Sequence, residues 1–157
     1  MTIDENRIVQ TYVAPLYLSA DTALIAEAAR SATVDDVLWM IDNAGWREQR
    51  VGAYLAVVRT EPQVAAALLA AIPRTHGTLS LHALVASAVL LAGTDAIAPL
   101  HAHQQRVNAV GYLGDPGSGF AGAALEHLGE HPQFAATDDD RKLFERMLQI
   151  AKQIRSA

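Results

Sequence analysis

The segment from Leu79 to Ala92 is apolar almost all round, interrupted only by Ser80, His82 and Ser87. As a helix it has no polar stripe to turn towards water, so other elements must enclose it. Those elements are helices too. Runs that alternate apolar and polar residues, rich in β-branched and aromatic side chains, are missing. Alanine, the strongest helix former, supplies 30 of the 157 residues. The expectation is an all-α fold of stacked antiparallel helical hairpins, a short α-solenoid, forming one domain over 1–157.

Caps and breakers divide the chain. Ile8 to Leu18 is an apolar lead-in in which Pro15 breaks or kinks any helix. Asp21 caps a helix to about Arg30, and Thr33 with Asp36 forms a capping box ahead of Val34, Val37, Leu38 and Ile41 at helical spacing. Gly45 is placed as the stop of that helix. The next runs from Trp46 to Arg59 with Val51, Tyr54, Leu55 and Val58 on one face, and Pro62 opens another that Pro73 ends. Gly93 stops the apolar helix, and Thr94 or Asp95 caps its successor towards Val107. The glycine-rich stretch 111–119 is expected as a loop, Phe120 to Gly129 as a helix, and 138–156 as a C-terminal helix with acids at its positive end and Arg155 at its negative end.

Cysteine is absent, which removes disulfides, thiolate zinc sites and cysteine nucleophiles; this fits a reducing compartment and is also compatible with a periplasm. Asp4 and Glu5 stand where a signal peptide would carry positive charge. Leu79 to Ala92 is also shorter than the roughly 20 residues of a membrane span. A cytoplasmic protein without membrane contact is expected. The net charge of −5 disfavours nucleic acid, whose phosphates need clustered Lys and Arg. That imbalance sits in residues 1–45, where Asp4, Glu5, Asp21, Glu27, Asp35, Asp36 and Asp42 face only Arg7 and Arg30.

Three helix ends look alike, and their positions Val58, Leu91 and Leu128 are spaced by 33 and 37 residues, as in a two-helix repeat. The run Trp46-Arg-Glu-Gln-Arg-Val-Gly-Ala-Tyr-Leu55 resembles the inner helix of a HEAT-type repeat. With the Tyr12–Tyr17 lead-in, residues 8–130 resemble small bacterial HEAT-like proteins, several of which are similar to toxin-immunity proteins. The resemblance implies that Asp42 and Arg47 or Arg50 brace a hairpin, and that Gly52 and Ala53 let helices approach closely. It implies a binding scaffold rather than an activity.

Candidates for chemistry have plain alternatives. His101 and His103, two apart, do not share a helical face and are expected as solvated residues. His127 and His131 have metal spacing, but Gly129 and Pro132 end the helix around them. The 111–119 stretch lacks the lysine of a P-loop. The Asp138–Asp140 run is most simply a solvated helix start. No catalytic residue, metal or cofactor is therefore expected. The leading expectation is a protein-binding module, an immunity- or antitoxin-type inhibitor of a basic toxin domain, acting through an acidic surface of Asp35, Asp36, Trp39, Asp42, Trp46 and Glu48. Carboxylates there are expected to be exposed, since burying them unpaired is costly. One alternative is an adaptor with a peptide groove. Another is an enzyme in which His76, His82, His101 or His103 meets a carboxylate in space.

Overall fold

The computed structural model describes residues 2–42, 45–109 and 116–157, which form helices joined by turns, with no strand among them. The all-α expectation holds.

The first helix, α1, joins Glu5–Ile8, a π-helical Val9–Val13 and Ala14–Leu16. Pro15 does not end it. Proline has no N–H to give and its ring crowds the carbonyl one turn back, and the wider π-turn just before it relieves that crowding. Helix α2 (Thr22–Ser31) begins at Asp21, whose carboxylate accepts from the amides of Ala23 and Leu24. Helix α3 (Val34–Asp42) begins with the capping box that the sequence predicts: Thr33 Oγ1 accepts from the Asp36 amide and Asp36 returns the bond to Thr33. Gly45 is not the stop of α3 but the N-cap of α4 (Trp46–Ala56). Pro62 opens α5 (Pro62–Ala71), which passes into a 3-10 turn, Ile72–Arg74, containing Pro73.

Helix α6 (Thr78–Ala92) is the enclosed element, with residues 83–89 all buried. It ends at Gly93, whose φ of 55° lies in the left-handed region that glycine enters without penalty. A 3-10 turn, Gly93–Ala96, then leads into α7 (Ile97–Ala109). Taken together, Thr78–Ala109 is long enough, and one 18-residue stretch of it apolar enough, for a membrane-crossing helix, with half of that stretch buried in the fold. The run doubles back at Gly93, however, because Arg106 near its far end donates to the Thr75 carbonyl just before its start, at 2.6 Å.

The glycine-rich stretch divides. Residues 111–115 lie outside the described residues, whereas Pro116 to Gly119 are not loop but the first turn of α8 (Pro116–His127). Two glycines there serve close approach: a β-carbon on Gly119 would strike the Asp140 carboxylate, and one on Gly122 would strike the Phe134 carbonyl. Helix α9 (Asp138–Ser156) starts with a capping box from Thr137 and Asp140 and buries Phe144, Met147, Leu148, Ala151 and Ile154.

Helix α3 packs on α4, α5 on α6 and α7 on α8, while α4, α6 and α8 pack in succession. Helix α9 lies across α6, α8 and α2. One apolar cluster runs from Ile8 in α1 to Ile154 in α9. Gly52 sets a close contact between α4 and α3, since a β-carbon there would sit 2.7 Å from Met40 Cβ. The close approach expected at this glycine is present. Fully buried Gln104 pins the segment before α9: its Nε2 donates to the carbonyls of Ser118 (2.9 Å) and Phe134 (3.1 Å), and its Oε1 accepts from the Gln133 amide (2.9 Å).

Candidate functional site

Helices α3 and α4 carry all six residues proposed from sequence, and the fold treats them unequally. Asp36 is not exposed: it is 3% accessible. Its carboxylate meets Arg7 at 2.5 Å and closes the capping box with Thr33. Burial alone would raise this carboxyl, but the bonds from Arg7 and Thr33 outweigh it and hold the pKa below the usual aspartate range. This acid is a structural tie, satisfied before any partner arrives. Asp42 is exposed and forms an ion pair with Arg74 at 2.6 Å, across to the turn after α5. Arg74 therefore takes the place of Arg47 or Arg50 as the brace for Asp42. Asp35 is exposed, and Trp39 and Glu48 are half-buried, Trp39 against the core. An acidic face built on three aspartates is thus reduced: one is buried and one is neutralised by a neighbour.

Trp46 belongs to a different constellation. Its ring meets Tyr17, at the end of α1, edge-on with centroids 5.8 Å apart. The exposed Arg47 guanidinium lies 5.1 Å from the Tyr17 ring centre and 4.9 Å from that of Trp46. Stacking on a ring leaves the N–H edge of a guanidinium directed outwards, available to a carboxylate. Gly77, ahead of α6, reaches the same place, for a β-carbon there would stand 3.3 Å from Trp46 Cβ. Arg50, one turn after Arg47, lies over Tyr54 at 5.3 Å, and its Nη1 makes a long contact of 3.5 Å to the Leu79 carbonyl. Leu18 and Leu79, at the borders of this surface, are 67% and 45% exposed. Sequence reading picked out Trp46 and missed Tyr17, Leu18, Arg47, Arg50 and Leu79 as one surface. The legible signal was the pair of arginines three apart on α4, between aromatic residues at 46 and 54.

The histidines are distributed over several places. His103 is not solvated but 2% exposed. It lines a cavity of about 10 Å³ together with Thr75, His76, Gly77, Thr78, Leu81 and Gly117, room for about one water molecule. Arg106 bonds His76 Nδ1 at 3.2 Å beside it. Two histidines do converge there, but the described lining contains no carboxylate. His82 stands apart, stacked on Phe120 with centroids 4.3 Å apart. Burial, aided by the charge of Arg50 and opposed by Asp140, lowers its pKa to about 4, so the ring is neutral near pH 7. His127 ends α8 and faces Phe144, and Gly129 with φ 83° ends the helix before His131 as foreseen. Among the described residues no three His, Asp or Glu side chains are grouped to hold a metal ion. A shallow groove of about 270 Å³ between α8 and α9 is lined by Ala123, Glu126, His127, Arg141, Phe144 and Glu145. Its Arg141 is already committed to Glu126 (2.7 Å) and Asp138 (2.9 Å). Comparison with protein-family models, with curated proteins and with solved structures finds no significant match.

Proposed function

We propose that this chain is a protein-binding module that docks its partner through the surface of Tyr17, Leu18, Trp46, Arg47 and Leu79. The observation that carries this reading is the exposed guanidinium of Arg47 resting on two aromatic rings, Tyr17 and Trp46. Tyr, Trp and Arg are the residue types that dominate binding hot spots, and preorganised stacking lowers the entropic cost of ordering them. Exposed Leu18 and Leu79 add apolar area at the margins. Inhibition of a toxin by an immunity-type protein is the specific form that the resemblance to HEAT-like proteins adds to this reading.

The same proposal takes the helices as three stacked hairpins, α3–α4, α5–α6 and α7–α8. The packing of α4, α6 and α8 in succession supports it, and these are the helices whose ends resemble one another in sequence. The adaptor alternative needs an open groove along that inner row. Here α9 lies across α6 and α8, so the chain's own helix takes the place of a peptide and an outer surface is favoured.

The test is affinity capture from native lysate with the wild-type chain and Arg47→Glu side by side. The side chain at 47 is exposed, so the variant keeps the fold, which circular dichroism checks. A stoichiometric partner held by the wild type and lost by Arg47→Glu is the expected result. Equal retention by both shows that Arg47 does not carry the binding and overturns its role as the anchor.

A further inference from the structure

The charge at this surface is the reverse of the acidic face that composition implies. Arg47 and Arg50, neighbours on α4, form no ion pair among the described residues. Arg50 Nε is buried with no acceptor. Of the nearby acids, Asp42 is held by Arg74 and Glu48 is half-buried in the first turn of α4. In a chain of net charge −5, two adjacent guanidiniums without carboxylates mark a local positive spot. Two exposed leucines adjoin its members: Leu18 follows Tyr17 in the chain, and the carbonyl of Leu79 contacts Arg50.

We propose that the partner element seated here is an acidic protein segment with apolar side chains beside its carboxylates. The inference rests on the reading of this surface as the docking site. A carboxylate bound at the outer edge of Arg47 would be held by N–H donors already fixed in direction by the two rings, and would add charge-assisted bonds that water does not match. Leu18 and Leu79 receive the apolar flanks. A polyphosphate partner is disfavoured, because two guanidiniums give too few phosphate contacts to overcome the repulsion of the overall negative charge.

The experiment pans a random, displayed short-peptide library on the immobilised full chain and on Arg47→Glu. Enrichment of Asp or Glu next to Leu or Phe on the wild type, absent on the variant, is expected. An enriched peptide should weaken by about tenfold or more when its acids become Asn or Gln, and weaken as salt rises. Enrichment of Lys and Arg, no enrichment, or equal enrichment on both chains overturns the proposal, as does tighter binding of a single-stranded oligonucleotide. A photo-crosslinker at Leu18, used in native lysate, separates this failure from that of the docking reading. A protein cross-linked equally by wild type and Arg47→Glu keeps the surface and rejects the acidic segment. Absence of any cross-linked protein rejects the surface itself.

Discussion

At the N-terminal end of α3, Asp36 is 3% exposed and bonded to Thr33 and Arg7, whereas at the C-terminal end Asp42 meets Arg74 with both side chains more than half exposed. The residue type is the same and the ion-pair distances are alike, at 2.5 and 2.6 Å. The physics differs. A buried carboxylate without its donors would leave an unsatisfied charge in a poor solvent, so its bonds are obligatory. An exposed carboxylate exchanges its partner for water at little cost. Sequence composition counts the two acids equally, and the fold does not.

Asp36 and Asp42 keep their different surroundings only while α3 is held against α4, and breaking that seam should cost the most. Gly52→Leu forces side-chain atoms into space already held by Met40 Cβ, 2.7 Å from a β-carbon at 52, and by the Ile41 backbone, 3.0 Å away. Overpacking of this kind costs about 3 kcal/mol. Urea unfolding followed by circular dichroism should show it as a fall in midpoint with the slope unchanged. A variant as stable as the wild type would mean that the two helices separate freely, and the contrast between the two ends of α3 would lose its frame.

The second effect sharpens the contrast. Asp36→Ala removes the return bond of the capping box and the buried acceptor of Arg7 together, and a loss of about 2 kcal/mol is expected near pH 7. The sign with pH follows from the lowered pKa of Asp36. A carboxyl depressed on folding stabilises the protein above its unfolded pKa, near 3.9, and that contribution disappears as pH falls through the lower folded value. Wild type and Asp36→Ala should therefore differ fully above pH 5 and converge under acid conditions. Parallel melting curves with a constant gap down to strongly acid pH would show that the carboxylate charge is not what matters there.

What was legible in the sequence was local. Asp21, the Thr33–Asp36 box, Pro62 and Gly93 act within one helical turn, and all four stand where their chemistry places them. The start of α8 was not legible, because glycine-rich sequence favours loops by intrinsic propensity. Tertiary contact overrides that preference, with Gly119 and Gly122 giving room for Asp140 and for the Phe134 carbonyl. The same limit applies to the candidate surface. Trp46 is visible as an aromatic residue, but its companion Tyr17 lies 29 residues earlier and the Leu79 carbonyl reaches Arg50 from 29 residues later. Likewise, burial of Asp36 follows from Arg7, 29 residues away, and no spacing rule links them.

The smallest effect completes the comparison. Asp42→Asn removes an ion pair whose side chains are 51% and 59% exposed, and its cost in the same urea titration should stay within about 0.5 kcal/mol. Because the pair is exposed, what remains should vanish in high salt, while the loss in Asp36→Ala should persist there. A loss at Asp42 as large as that at Asp36 would mean that the Arg74 bridge holds the turn after α5 against α3. Asp42 would then be structural like Asp36, and neither acid would be left to meet a basic partner. A small loss would show that Asp42 exchanges Arg74 for water at little cost, whereas buried Asp36 has no such replacement for Arg7 and Thr33.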